Sequence, residues 1–236
     1  MAQGNQSKYE ILPTCPEDAE SMSKCNYKAF ANSFFNQMTF PKAREHLTPK
    51  DEVLAYRTQR MAGRLRQDDA VSYKAVLKDQ PDVVVGYANF LKPGHYNKQK
   101  AQASVETTLG GVVEAKPDKQ TQTDEHPACM DVEMQSKLMA MMDRKREEVW
   151  GDETNFWYLA GLCVDPDYQR QGIASLLMEG GLRQADEDGL PIYLESTPEG
   201  VHVYPRLGFE TCSELVLVDY GGHTVKLMIR QPLQRM

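Results

Sequence analysis

The sequence has few cysteines, and they are not arranged in pairs. The chain contains Cys15, Cys25, Cys129, Cys163 and Cys212. This is an odd number, and no two lie close enough to form a CxxC pair. We therefore expect neither a disulfide framework nor a zinc site, and a reducing compartment fits best. The five histidines, at positions 46, 95, 126, 202 and 223, have no metal-ligand spacing either. No metal is expected.

Long apolar runs and excess positive charge are also missing. Residues 1–10 are polar and lack the apolar region of a signal peptide. No stretch approaches the roughly 18 apolar residues that span a bilayer. The formal net charge of −7 argues against nucleic-acid and anionic-membrane partners, because nothing global attracts phosphates. We expect a cytoplasmic protein, in which any anionic ligand is held locally by backbone amides and a few cations.

The first half of the chain alternates strand and helix signals. With 236 residues, 41% of them apolar, we expect a single domain over residues 1–236. Residues 9–12 predict a strand, and Thr14 before Pro16 and Glu17 predicts a helix start with a capping box. The sequence at Thr48 predicts the start of a second helix. A hairpin is predicted from strands at 71–77 and 83–91, with a turn at 79–82.

Residues 93–130 read as a polar insertion, because 93–127 are rich in Pro, Gly, Lys and Gln with little periodicity. The helix predicted next, over 131–150, is rich in methionine. Its methionines either pack in the core or form an adaptable wall of an acceptor pocket. After it we predict a central strand at 155–164, a helix at 172–188, a strand at 192–196, a short helix at 200–207 and a closing hairpin of 214–218 with 225–229.

One strand-to-helix turn has the chemistry of an anion site. The strand ending at Val164 is broken by Asp165-Pro166-Asp167, and the chain then runs from Tyr168 through Gly172 into a helix. A helix N-terminus presents unpaired N–H groups and a partial positive charge. Gly172 permits close approach of a ligand, and Arg170 adds a cation. Ordinary turn geometry accounts for such a glycine equally well.

This segment resembles a known family. Gln169-Arg170-Gln171-Gly172-Ile173-Ala174 is similar to the Q/R-x-x-G-x-G/A signature of the GNAT superfamily of N-acetyltransferases. Downstream, Tyr204-Pro205-Arg206-Leu207-Gly208-Phe209 is similar to its Y-x-x-x-G-F element. The closest likeness is to fungal-type members with a long insertion before the central strand. The resemblance implies an α/β fold: a mixed, mostly antiparallel sheet of about six to seven strands, flanked by helices and splayed between the fourth and fifth strands.

The resemblance also implies a co-substrate and its site. Acetyl-CoA would bind within a core at about 155–210. The residues implied to bind coenzyme A are Leu162, Val164, Gln169, Arg170, Gln171, Gly172, Ile173, Ala174 and Ser175. An amine would attack the thioester directly within a ternary complex, and Tyr204 would return a proton to the departing thiolate.

The general base and the acceptor are less defined by the sequence. Glu195 is our candidate base, with Glu106, Glu153, His202 and a water chain as alternatives. Cys163 could carry an acetyl group, although an apolar strand favours an inert thiol. We expect a small-molecule primary amine as acceptor and a monomer or homodimer. The alternatives are a protein or peptide acceptor, a non-catalytic acyl-CoA sensor or scaffold, and another nucleotide-binding α/β protein. The last is disfavoured because GxGxxG and P-loop motifs are missing.

Overall fold

A computed structural model describes residues 8–96 and 126–233. Its strands are β1 (Tyr9–Pro13), β2 (Ala70–Leu77), β3 (Gln80–Leu91), β4 (Trp157–Val164), β5 (Ile192–Ser196), β6 (Glu210–Leu217) and β7 (His223–Arg230). Its α-helices are α1 (Ala19–Phe30), α2 (Phe34–Thr39), α3 (Lys50–Leu65), α4 (Val132–Trp150) and α5 (Ile173–Asp188). Short 3-10 turns lie at Pro16–Asp18, Lys42–Leu47, Pro166–Tyr168, Pro205–Leu207 and Val218–Tyr220. Most of the predicted polar insertion falls outside the described residues.

The strands form one seven-stranded sheet in the order β1-β2-β3-β4-β5-β7-β6. All neighbours are antiparallel except β4 and β5, which run parallel. The parallel pairing covers only Trp157 to Leu159 of β4 against Ile192 to Leu194 of β5. Beyond these three pairs the two strands part. The expected fold class, including the splay between the fourth and fifth strands, is confirmed.

A bulge in β4 lies where the two strands part. Phe90 of β3 pairs with Leu159, but its neighbour Asn89 pairs with Gly161, so Ala160 is an extra residue in β4. Side chains normally alternate between the faces of a strand, and an inserted residue shifts that alternation by one. Leu159 and Leu162 consequently both pack into the core on the same face.

Helix α5 covers one face of the sheet. Its Ile173, Leu177 and Met178 are buried in a core cluster with residues of β3, β4 and β5. The helix approaches closely at Gly181, where an added Cβ would lie 2.3 Å from the Phe90 ring. Only glycine permits that contact. On the opposite face, α1 and α3 pack over β2 to β4, whereas α4 packs against β6, β7 and α2.

Several local predictions differ from the structure. The capping box is built on Cys15, whose backbone N–H donates to Asp18 Oδ2 at 2.8 Å. Thr14 instead donates to the Ser72 carbonyl across the β1–β2 pair, so it is not the cap. The short helix predicted at 200–207 is wrong: only Pro205–Leu207 forms a 3-10 turn. Helix α2 was not predicted at all.

Within residues 8–96 and 126–233, none of the helices combines the length and apolar character needed to cross a bilayer.

Candidate active site

The gap between β4 and β5 is the most distinctive polar feature of the sheet. From Ala160 to Val164, β4 has no pairing partner on its β5 side, and β5 leaves Glu195 and Ser196 unpaired toward β4. Backbone N–H and C=O groups in such a gap need partners from water or a ligand. The gap therefore offers a row of main-chain donors and acceptors to an extended polar molecule.

The turn that follows β4 holds a strained backbone. Gly172 is the N-cap of α5 with φ 82°. Arg170 has φ 58° and is the one residue other than glycine with positive φ in the described part of the chain. Such a conformation costs about 1–3 kcal/mol and concentrates at ligand sites. The first backbone hydrogen bond at the start of α5 runs from the Leu176 N–H to the Gly172 carbonyl at 3.2 Å. The N–H groups ahead of it are left without helical partners and can receive an anion.

Side-chain contacts fix this turn to the rest of the fold. Gln169 Nε2 donates to the Val164 carbonyl at 3.0 Å, and the Tyr9 hydroxyl donates to Gln171 Oε1. Asp165 is buried and accepts from Lys28 Nζ at 3.0 Å. The turn is thus held between α1, β1 and β4 before any ligand arrives.

The residues predicted to bind coenzyme A fall into two groups. Exposed residues form the turn itself, namely Gln169, Arg170, Gln171, Gly172 and Ser175, with Ala174 half-buried beside them. Leu162 and Val164 lie in the unpaired part of β4, so their backbone groups border the gap. The Ile173 side chain is buried in the core, which leaves only its N–H facing a ligand. These assignments stay predictions.

Tyr204 lies beyond the end of β5 with its ring in the core on the α5 face. It is buried and meets Phe209 edge to face at 5.7 Å between ring centroids. Burial raises the pKa of Tyr204 well above its ordinary value. The hydroxyl makes no hydrogen bond to any other described residue. A phenol in this state keeps its proton at every physiological pH and is available as a donor.

Glu195 lies on the opposite face of β5, in a closed polar network. Its Oε1 accepts from Arg146 Nη2 at 2.7 Å, Arg146 Nε at 3.0 Å and the Tyr193 hydroxyl at 2.9 Å. Its Oε2 accepts from the Tyr158 hydroxyl at 2.6 Å. The side chains of Arg146 and Glu195 are only 11% and 6% exposed. Glu195 stays a predicted base, but it is also one half of a buried ion pair.

Arg146 owes its charge state to the same network. Burial alone lowers the pKa of Arg146, but attraction by Glu195, then by Tyr158 and Tyr96, raises it above its ordinary value. The guanidinium also lies 4.4 Å from the centroid of the Tyr96 ring. Nothing local in the sequence signals Arg146, because it lies in a charged helical run. Arg146 pairs with Glu195 only because its helix lies opposite β5.

The alternative bases are placed differently. Glu153 is exposed and accepts from the backbone N–H groups of Thr154 and Asn155. His202 is exposed, and Glu106 lies outside the described residues. Cys163 is buried, with its sulfur 3.8 Å from that of Cys25, and burial raises the pKa of the Cys163 thiol. A protonated, enclosed thiol fits the inert interpretation.

A fully buried asparagine borders the bulge. Asn89, opposite Gly161, is 0% exposed, and neither atom of its carboxamide has a hydrogen-bond partner among the described residues. Unpaired buried amides cost about 1–3 kcal/mol. The sequence did carry a signal here, because Asn89 is the one polar side chain in the apolar run from Val83 to Leu91.

The Met-rich helix packs in the core on one side and borders a cavity on the other; that this cavity takes an acceptor stays a prediction. Leu138 and Met142 are buried against Phe34 and β6–β7. Met134 instead borders a cavity of about 290 Å³ beside α2, whose other lining residues are Phe34, Gln37, Met38, Tyr220 and His223. No three His, Cys, Asp or Glu side chains converge as metal ligands in the portion of the chain that is described.

Known proteins match this chain at three levels. The family model described as an acetyltransferase (GNAT) domain matches residues 95–225, more than half of the chain. A probable acyltransferase, SID5, from Ajellomyces capsulatus is 40% identical over 50 residues, which are 21% of this chain and 37% of that protein. The match thus spans well under half of that curated relative.

Solved structures share the fold at low identity. Polyamine N-acetyltransferase from Drosophila melanogaster has a TM-score of 0.60 at 13% identity, covering 94% of this chain and 99% of that one. Arylalkylamine N-acetyltransferase 2 from Aedes aegypti has a TM-score of 0.58 at 17% identity, covering 94% and 98%. The family model covers more than half of the chain and these structures share its fold, so the chain belongs to the GNAT acetyltransferase family.

Proposed function

We propose that the protein transfers an acetyl group from acetyl-CoA to the primary amine of a small molecule, by direct attack in a ternary complex. The observation that carries the proposal is the gap between β4 and β5 together with the turn at Arg170–Gly172. The gap offers main-chain partners to an extended chain, and the turn offers free N–H groups to a diphosphate. A molecule with both parts matches that arrangement.

In this proposal the two structural elements divide the binding of the co-substrate. The backbone of Leu162 and Val164 bonds the amide groups of the pantetheine arm, as a neighbouring strand would. The N–H groups from Arg170 to Ser175 hold the diphosphate, and the Arg170 guanidinium adds positive charge in a chain of net charge −7. Acetyl-CoA supplies the acetyl group as a thioester.

The chain then has two tasks during transfer. The first is to hold a neutral amine near the thioester carbonyl, since positioning alone lowers such a barrier by several kcal/mol, about 7 or more in favourable cases. The second is to protonate the departing thiolate. We assign the second task to Tyr204, because burial keeps its hydroxyl protonated until the thiolate forms. The same burial makes the phenol a weaker acid, so the proton passes only as negative charge builds up on the sulfur.

The test combines binding with turnover. Acetyl-CoA should raise the melting temperature, and at least one amine in a broad panel should be acetylated. Tyr204→Phe should leave coenzyme A binding intact and lower kcat at least about tenfold, as loss of a general acid does. Tyr73→Phe is the control, because its ring packs against the same core cluster and it should keep full activity.

Three results would contradict parts of the proposal. Absence of any thermal shift with coenzyme A at millimolar concentration removes the co-substrate site. Coenzyme A binding without transfer to any amine favours a sensor or scaffold that retains the fold. A Tyr204→Phe variant as active as the parent removes Tyr204 from the mechanism.

A further inference from the structure

A cavity of about 200 Å³ lies between α1, α2 and α3, on the sheet face opposite α5. Tyr27 and Phe40 give it aromatic walls, and Asn36, Lys42, Glu45 and Arg57 supply its polar groups. The residues assigned above to coenzyme A do not line it. An apolar cavity of about 150 Å³ already admits a molecule the size of benzene, so this one has room for a short organic acid.

Arg57 is the principal cation that lines the cavity. Its Nη2 donates to Asn36 Oδ1 at 2.6 Å, and its Nη1 lies 3.5 Å from Asn26 Oδ1. The Phe40 ring centroid is 4.4 Å from the guanidinium carbon. These contacts fix the orientation of the group while occupying two of its five N–H donors. The Nε atom is buried and has no hydrogen-bond partner among residues 8–96 and 126–233.

No carboxylate neutralises this guanidinium within residues 8–96 and 126–233. The acceptors it has are neutral amides. Burial lowers the pKa of Arg57, yet a guanidinium titrates so high that it stays charged. Of the other charged lining residues, Lys50 pairs with Glu45 at 3.3 Å, and Lys42 adds a further cation. The cavity thus has excess positive charge inside an acidic protein, and buried cations favour a paired anion.

The cavity is linked to the gap by a short chain of contacts. Asn26, which accepts from Arg57, also donates to the Tyr87 hydroxyl at 2.7 Å. Tyr87 lies in β3 and pairs with Cys163 of β4. A Cβ on Gly161, in the bulged and unpaired part of β4, would lie 3.9 Å from the Tyr87 ring. A molecule bound to Arg57 therefore lies on the sheet face opposite α5, beside β3 and β4, and β4 borders the proposed thioester site.

We propose that this cavity binds the carboxylate of the acceptor, so that the preferred substrates are amines that also carry a carboxylate. Arg57 forms charge-assisted hydrogen bonds to the acid, Lys42 adds attraction at the rim, and the amine extends toward the gap. This inference rests on the proposed amine acetylation. It adds the substrate class and the group that recognises it.

The kinetic test compares substrates that differ only in the acid. Aliphatic ω-amino acids are assayed against the matching ω-amino amides, because the pairs share length and amine basicity. The acids should have a kcat/KM about 10- to 100-fold higher, the range of one or two charge-assisted hydrogen bonds. Arg57→Gln should abolish the ratio and Arg57→Lys should retain part of it. Arg60→Gln, an exposed neighbour on α3, should keep it.

A second test needs no catalysis. Glutarate, which has no amine, is titrated into the protein without acetyl-CoA while the melting temperature is followed. It should stabilise the parent and Lys78→Glu, a surface control on the β2–β3 turn, but should stabilise Lys42→Glu less and Arg57→Gln not at all. Because Lys42 is exposed, its variant separates ligand binding from damage to the fold.

The outcomes distinguish the two proposals. If no amine is acetylated but glutarate still binds through Arg57, the acetylation proposal fails and the carboxylate site stands. If amino acids and amides are acetylated equally and glutarate has no effect, acetylation stands and this inference is overturned. Stabilisation by inorganic phosphate but not by glutarate also overturns it.

Discussion

Removing the Glu195 carboxylate is the sharpest perturbation that the site offers. In Glu195→Ala, Arg146 loses two hydrogen bonds and keeps its ion pair with Asp143 at 2.7 Å, whose side chain is 66% exposed, together with its contacts to the Tyr96 and Tyr158 rings. The Tyr158 and Tyr193 hydroxyls lose their acceptor as well. One substitution thus leaves a buried guanidinium and two buried phenols unsatisfied.

The expected cost follows from burial of the pair. Breaking a buried ion pair from one side costs about 3–5 kcal/mol. For a chain of this size each kcal/mol lowers the melting temperature by about 2–4 °C, so a fall of roughly 6–20 °C is expected. Glu195→Gln keeps an acceptor and the volume, and should cost roughly half as much. Asp143→Asn, which disturbs only the exposed contact, should change stability by less than about 1 kcal/mol.

The dependence on pH provides an independent check. The pKa of Arg146 is raised above its ordinary value, so its contribution is fully present below the unfolded pKa, which lies far above neutrality, and is lost only as pH rises through the folded value. Arg146 does not titrate between about pH 6 and about pH 9, so it should not reduce the loss of unfolding free energy in Glu195→Ala over that range. Urea denaturation at both pH values measures it.

The same variants decide what Glu195 does. A structural role predicts that Glu195→Gln keeps coenzyme A binding and loses less than about tenfold in kcat, whereas loss of a general base costs about 100-fold or more. The reasoning about the ion pair is refuted if Glu195→Ala is as stable as the parent. It is also refuted if Asp143→Asn is destabilised equally.

Two further predictions use matched controls. Gly172→Ala places a Cβ in open space at φ 82°, so it should cost only about 1–2 kcal/mol of stability. It should nevertheless weaken coenzyme A binding at least tenfold in a calorimetric titration. The control Gly189→Ala introduces the same kind of strain at φ 67° and should bind coenzyme A normally. Asp186 accepts both Arg230 amino groups at 2.8 and 2.9 Å, which lowers its pKa. This stability is present above the unfolded pKa near 3.9 and disappears as pH falls through the lower folded value. Asp186→Asn should thus lose roughly 1.5–3 kcal/mol at neutral pH and progressively less as pH falls through the folded pKa of Asp186. The exposed Glu187→Gln should be as stable as the parent at neutral pH, and a loss in Asp186→Asn that does not shrink on acidification would refute the assignment.

The elements bounded by strong local signals were predictable from sequence. Helix α5 is flanked by the caps Gly172 and Gly189, both with positive φ, and a left-handed glycine such as Gly189 commonly ends a helix. The strand at Ile192–Ser196 is confirmed in full. Helix α2 was missed because its six residues are too few for periodicity, although Ser33 caps it by accepting from the Asn36 N–H.

The polar residues that distinguish this site could not be found from local pattern. Arg57 lies in a polar helical stretch that reads as solvated surface, and it is half-buried only because α1 and α2 fold over it. Arg146 is similar, since only β5 opposite its helix turns a surface-like arginine into a buried ion pair. Tertiary contacts decide these cases, and periodicity carries no information about them.

The unpaired stretch of β4 places an open strand edge in the interior of a sheet instead of at its rim. In the proposed complex its recognition groups are main-chain atoms of Leu162 and Val164, which every amino acid except proline supplies in full. Side chains there can vary as long as β4 and β5 stay unpaired beyond Leu159. Under this proposal the binding edge places little demand on sequence, and the fold itself persists at 13% and 17% identity in structures with TM-scores of 0.60 and 0.58.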